Sequence, residues 1–333
     1  MVQLGRQTAS LVLIIAVLVP TSAAGAAEAP ERGTLSFVFE NDLFHNEDGR
    51  YTNGVQLSWL SDPRNGPEWA LRVAPWFPLF PEGGTIRTEY ALGQTIFTPS
   101  TIKLEDPPPD DRPYAGWLYG AIGLIAETGQ RLDVLELTLG MVGPASLAEE
   151  TQRFTHKITG ANEPRGWDTQ LKNEPGVVLT YQRSWRAFVL ESASGFGFDL
   201  TPHAGGALGN VYTYADAGLT VRFGRNLPFD YGMPRIRPSL PGSGFFLPRR
   251  GVGWYVFAGV EGRAVARNIF LDGNTFRDSR SVDKEPLVGD LQFGIALTWR
   301  NVRVSYTRVL RTEEFEDEGG GSDFGALSLS LRF

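Results

Sequence analysis

The chain has no cysteine. That excludes a disulfide framework and any thiolate metal centre, so its polar chemistry must come from oxygen and imidazole donors. Histidine is scarce, with only three: His45, His156 and His203. Basic charge is in deficit, 31 Lys and Arg against 38 Asp and Glu for a net charge of −7, which argues against a nucleic-acid partner. Long apolar runs are missing after the first few dozen residues. The one that exists, 11–19 (LVLIIAVLV), follows Arg6 and precedes the small-residue stretch SAAGAA. Nine apolar residues are too few for a membrane-spanning helix, which needs about 20. A charged start, a short apolar centre and small residues after it are the pattern of a secretory signal peptide.

What is present is aromatic and glycine-rich: 12% Phe, Trp and Tyr, and 39 Gly. Apolar and polar residues alternate with the period of two that puts successive strand side chains on opposite faces. Leu291, Phe293, Ile295, Leu297 and Trp299 oppose Gln292, Gly294, Ala296 and Thr298. Leu135, Leu137, Leu139 and Met141 oppose Glu136, Thr138 and Gly140. The final segment LSLSLRF places Leu327, Leu329, Leu331 and Phe333 on one face, with Ser328, Ser330 and Arg332 on the other. Such a last strand resembles the assembly signal of bacterial outer-membrane barrels, which implies the barrel assembly machinery as a partner. About twelve segments alternate in this way, near 34–43, 51–60, 86–97, 115–126, 132–143, 175–186, 196–208, 211–223, 252–267, 287–299, 302–312 and 324–333. An even count suits a single-chain bacterial barrel. The expected fold is therefore all-β, a twelve-stranded antiparallel transmembrane β-barrel, with 1–27 removed as a signal peptide and 28–333 forming the barrel in the outer-membrane bilayer. With both ends periplasmic, 44–50, 98–114, 144–174, 209–210, 268–286 and 313–323 lie outside the cell. The connections 61–85 and 224–251 are periplasmic and longer than that side usually carries.

Three polar clusters fall on the outer side. The first spans Asn41, Asp42, Thr52 and Asn53, at the mouth of the first two strands. Asn-Asp is also ordinary turn chemistry, but Asp42 and neighbouring amide or hydroxyl oxygens are the hard donors that Ca²⁺ takes. The second is DDRPYAG (110–116). The third is the loop 144–174, where Ser146 and Glu149 have capping-box spacing. Beyond them Leu147, Thr151, Phe154 and Ile158 recur on one helical face. Gln152 and His156, one turn apart, share the opposite face with Glu149. A solvated surface face is the plain alternative for such a helix. His45 sits in a loop tip and His203 within a strand, where a packing role is expected.

Longer stretches carry a resemblance: FENDLF (39–44), GRYTNGVQLSWL (49–60), GQTIFTPSTI (93–102), DDRPYAGWLYG (110–120), GMVGP (140–144), TQRFTH (151–156), GWDTQLKNEP (166–175) and DLTPHAGGALGN (199–210). Together they resemble the lipid A 3′-O-deacylase (LpxR-type) family of Gram-negative outer membranes. The resemblance implies a barrel whose active site lies between the wall and a loop helix, facing the outer leaflet. It implies Ca²⁺-dependent hydrolysis of the acyloxyacyl ester at the 3′ position of lipid A, the lipid of lipopolysaccharide. It puts the family's Asn-Asp pair on Asn41 and Asp42, its second-strand polar position on Thr52 or Asn53, its histidine on His156 and its glutamine on Gln152. A carboxylate beyond the histidine would be Glu163. Arg112 is a candidate contact for a lipid A phosphate, because guanidinium matches phosphate bidentately. The competing readings are another outer-membrane lipid or phospholipid esterase, a passive porin, and a lipopolysaccharide-binding barrel without chemistry. No G-x-S-x-G motif supports a serine esterase.

Overall fold

The structure, a computed structural model, describes residues 33–42, 50–63, 67–81, 83–238 and 243–333, with the side chains of 50–52 excepted. The expected signal peptide lies outside the described residues. Among them run thirteen strands: β1 (Thr34–Asn41), β2 (Arg50–Leu60), β3 (Thr85–Thr98), β4 (Ala115–Glu127), β5 (Arg131–Val142), β6 (Glu174–Trp185), β7 (Phe188–Glu191), β8 (Phe196–Gly209), β9 (Tyr212–Arg225), β10 (Val252–Asn268), β11 (Leu287–Trp299), β12 (Val302–Arg311) and β13 (Ser322–Arg332). Twelve of them are long, and each pairs antiparallel with its neighbours. β1 pairs with β13 and β6 with β8, so the sheet closes on itself. Four-residue β7 only extends the pairing of β8 beyond the end of β6. This is the twelve-stranded barrel that the alternation predicts.

The period of two sorts the side chains. Leu57, Leu92, Ile122, Leu137, Leu139, Ile295, Leu297 and Leu327 point outward and are exposed. An apolar belt of this extent exceeds anything a water-soluble surface tolerates, and a bilayer removes its cost. The lumen is filled instead with charge. Asp290 takes Arg311 at 2.8 and 3.0 Å and Arg263 at 3.1 and 3.2 Å. His203 Nε2 stands 3.2 Å from Glu261.

The two long connections have physical roles that composition alone did not reveal. The segment after β2 folds back as a short helix, α1 (Glu68–Val73). Ala70 and Ala74 cover Leu124 and Phe80, while Trp69 and Trp76 stay exposed. The segment between β9 and β10 turns inward and plugs the lumen. Its Asp230 pairs with Arg222 of β9 and, at 2.9 Å, with Arg303 of β12. Its Arg235 donates to Glu40 of β1 at 2.6 Å and to Gln292 of β11 at 2.8 Å. Its Tyr231 and Phe245 pack on Leu60, Ile125, Leu132 and Val134. Between plug and wall remains a cavity of about 50 Å³, lined in part by Gln56, Tyr119, Glu136 and Arg235. That is room for a few waters at about 10–15 Å³ each.

Candidate active site

The site is assembled by sheet register. Asn41 of β1 faces Asn53 of β2, Asn53 faces Ile96 of β3, and Ile96 faces Gly116 of β4. Directly opposed residues project to the same side of a sheet. That side is the outer one. Glu40, next to Asn41, points into the lumen to Arg235, and Phe97 and Trp117 belong to the lumenal core. Asn41, Asn53, Ile96 and Gly116 therefore form one rung on the outer wall. The β2–β3 register shifts between Tyr51 and Asn53. Thr52 is the extra residue of this bulge, a feature that re-aims neighbouring side chains. Its own side chain is not described. Asp42 follows directly on β1 and is buried, as is Asn41. His45 lies outside the described residues.

Over the β3–β4 part of this rung, at Ile96 and Gly116, lies the helix α2 (Ala148–Thr159). Gly143, at φ 90°, and Leu147, at φ 58°, turn the chain after β5 back across the wall. Gln94 of β3 holds the turn by donating to the Ser146 carbonyl at 2.6 Å. Gly116 lets the helix approach, since a Cβ there would overlap Ser146 Oγ and Ala148 Cβ. The expected capping box does not form. The helix begins at Ala148 with Leu147 as N-cap and no side-chain cap. Ser146 sits in a preceding 3₁₀ turn with its side chain pressed on Gly116, and Glu149 pairs with Arg153 at 2.9 Å instead.

The two faces of α2 separate as the spacing predicts. Leu147, Phe154 and Ile158 point away and are exposed, whereas Ala148, Gln152 and His156 are buried against the wall. An exposed apolar face and a buried polar one is the reverse of a soluble protein's helix. Both make sense if the far side of α2 meets lipid and the near side encloses a site.

His156 is 6% exposed, and its Nδ1 lies 2.5 Å from the Asn162 carbonyl. The helix end explains that contact. Gly160 terminates α2 in the left-handed region, and the N–H groups of Gly160 and Ala161 both return to the His156 carbonyl, at 2.8 and 3.1 Å. This C-terminal turn brings Asn162 back beneath the ring. Gln152 accepts a 2.8 Å hydrogen bond at Oε1 from the Trp167 indole. Trp167 is fully buried with Ile96, Ile102, Tyr114 and Ala148, its ring 4.9 Å from that of Tyr114. Trp167 therefore ties Gln152 to the wall at Ile96, one strand from Asn53.

Two other candidates lie elsewhere. Glu163 is an exposed partner of Arg153 at 2.8 Å. Arg112 is fully buried, its guanidinium 5.2 Å from the Phe97 ring and its Nη2 3.5 Å from Glu314. It sits on the lumenal side of the wall, so a phosphate on the outer surface does not meet it in this conformation. Glu314 lies in the loop after β12. Burial alone would raise its pKa, but Arg311 and Arg112 outweigh that and hold its carboxyl below the usual carboxylate range. Among the described residues, a cluster of three His, Asp or Glu side chains close enough to share a metal occurs in the lumen, at His203, Asp216 and Glu261. The Asn41–Asp42 site is of another kind, one buried carboxylate next in sequence to Asn41, which faces Asn53 across the strands. That hard-oxygen donor set suits Ca²⁺. Trp167, Gly116 and the Asn162 carbonyl were assigned no role from sequence, although GWD and YAG stand inside the quoted motifs.

Fold and site define a class: an outer-membrane type of barrel with a polar site mounted on its outer wall beneath a loop helix. Residues 11–333 match the family model of outer membrane protein LpxR, and the chain belongs to that family. It is similar to LpxR from Salmonella typhimurium, with a TM-score of 0.74 and 21% identity over 90% of this chain and 100% of that one. The β domain of the Bordetella autotransporter BrkA aligns with a TM-score of 0.44 at 10% identity, over 91% of this chain and 99% of that one. No curated protein matches the sequence. The fold and family expected from the motifs are thus borne out, and the chain is an outer-membrane protein.

Proposed function

We propose that this barrel is a lipid A 3′-O-deacylase, which hydrolyses the ester-linked 3′-acyloxyacyl group with water activated by His156. The observation that supports the reading is the buried imidazole of His156, fixed by Asn162 and carried by α2 across β3 and β4, beside the strands that present Asn41 and Asn53. A carbonyl can only accept, so the Nδ1 bonded to Asn162 carries the proton and Nε2 keeps its lone pair. Nε2 takes a proton from water, and the oxygen attacks the ester carbonyl. Collapse expels the sugar 3′-oxygen, which is protonated, and leaves the acyl product as a carboxylate. General-base action supplies about 10²–10⁴ in rate, or roughly 3–5 kcal/mol. Asp42, with the amide oxygens of Asn41 and Asn53 nearby, would hold Ca²⁺, whose charge would polarise the ester carbonyl. The apolar outer face of α2 gives the acyl chains a path to the ester from the outer leaflet.

The test is mass spectrometry of lipid A incubated with the purified barrel. Loss of the mass of one 3′-acyloxyacyl group is expected. Excess chelator should abolish it, and added Ca²⁺ should restore it. Asp42→Ala should assemble normally and stay inactive at Ca²⁺ levels that saturate the native protein. Unchanged lipid A would overturn the reading; fatty acid released from glycerophospholipid instead would make the barrel a different lipid esterase, and retention of lipopolysaccharide without release a binding protein.

A further inference from the structure

The amide of Gln152 is held in one orientation, and half of it is unused. Indole nitrogen can only donate, so the atom facing Trp167 must be Oε1. The 2.8 Å bond from Trp167 therefore fixes which way the amide lies. Nε2, with two N–H donors, then points elsewhere. It is buried and has no hydrogen-bond partner among the described residues. Gln152 itself is 2% exposed. A buried amide donor left unmatched is unfavourable, a cost that a bound acceptor removes. This donor lies on the same face of α2 as His156, one turn away.

We propose that Gln152 Nε2 is a hydrogen-bond donor for the acyl oxygen that becomes negative during hydrolysis, and that Trp167 is the positioning residue that aims it. The acceptor is the carbonyl oxygen of a long-chain ester and then the oxyanion formed when water adds. The role differs from orienting His156, because the ring is already oriented by Asn162. It also explains why Trp167 is buried between helix and wall. Its ring packs on Tyr114, whose hydroxyl donates to the Ile102 carbonyl at 3.2 Å, and the assembly is anchored on Ile96. Removing the indole N–H frees the amide to turn over and present an acceptor to the acyl oxygen.

The inference rests on the proposed hydrolysis for its substrate, so the experiment has two arms. In the first, kcat and KM on lipid A are measured on the plateau of the pH profile. Gln152→Glu keeps an acceptor for Trp167 and nearly the same shape but loses the donor; a kcat drop of about 10²–10³ with little change in KM is expected. Trp167→Phe keeps an aromatic ring against Tyr114 but loses the indole donor, and should lose about tenfold in kcat with little change in KM. In the second arm, a micellar monoalkyl methylphosphonate, a tetrahedral anion, is titrated into the native barrel and both variants. Affinity about tenfold weaker in each variant is expected. Full kcat in both variants, or equal phosphonate affinity in all three proteins, overturns the inference. A native barrel that leaves lipid A intact, while phosphonate affinity still depends on Gln152 and Trp167, overturns the hydrolysis reading and keeps the donor site.

Discussion

The proton on Nδ1 of His156 is committed to the Asn162 carbonyl, which leaves Nε2 for the proposed proton transfer. Substitutions test that transfer. His156→Ala should lose about 10²–10⁴ in rate while the barrel keeps its heat-modifiable gel mobility. His156→Asn should be equally impaired, because it retains hydrogen bonding but cannot take a proton. His203→Ala, in the lumen beside Glu261, should retain most activity, and near-native hydrolysis by His156→Ala would remove the residue from the mechanism. A second residue-scale effect belongs to Glu314. Its folded pKa is depressed by Arg311 and Arg112, so the stabilisation it provides is complete above the ordinary carboxylate range, around 4.3. It is lost as pH falls through the lower folded value. Melting temperature should therefore drop on acidification below about pH 4, and less steeply in Glu314→Gln. Gln152 and His156 were legible because helical spacing alone puts them on one face. Trp167 was not, since nothing local in GWD says that its indole reaches back fifteen positions to Gln152.

At the scale of elements, the strands were the most legible part, because an outward face in lipid and an inward face in a charged lumen enforce strict alternation. The predicted strand 115–126 and the observed Ala115–Glu127 differ by a single residue at one end. Helix starts are less legible when tertiary contacts compete. Ser146 has the chemistry of an N-cap, yet its carbonyl is taken by Gln94 and its side chain is confined by Gly116, so the N-cap falls on Leu147 and the helix starts one residue later. Gly116 thus determines how closely α2 approaches the wall, a role that no periodicity reveals. Gly116→Val should push Ser146 and Ala148 outward and lift Gln152 and His156 away from the β3–β4 wall. Strand β4 itself should tolerate valine, which suits an outward-facing position. The expected result is a folded, membrane-inserted barrel with hydrolysis reduced at least a hundredfold. Full activity in Gly116→Val would mean that the close seating of α2 does not matter for catalysis.

For the whole molecule, the question is what a twelve-stranded wall encloses. Taken alone the wall could line a channel, and the length of the 224–251 connection had no account in the sequence, because a loop that folds inward leaves no repeating pattern. Its charges find their partners only in three dimensions: Asp230 with Arg222 and Arg303, Arg235 with Glu40, and Arg237 with Glu136 at 3.7 Å. These contacts tie the segment to β9, β12, β1 and β5, so the plug is fastened around much of the barrel's circumference. Breaking one partner of a buried pair costs about 3–5 kcal/mol, so brief release of the whole segment is rare. The native protein should accordingly give no steady ion conductance in a planar lipid bilayer. Combining Asp230→Ala with Arg235→Ala removes the side-chain pairs of these two residues with β9, β12, β1 and β11, at positions away from the outer-wall residues of α2. That variant should show intermittent channel openings and a lower melting temperature, yet still hydrolyse lipid A in detergent at close to the native rate. Steady conductance by the native protein would reinstate the porin reading, whereas loss of hydrolysis in the doubly substituted barrel would show that plug and outer-wall site are coupled through the sheet.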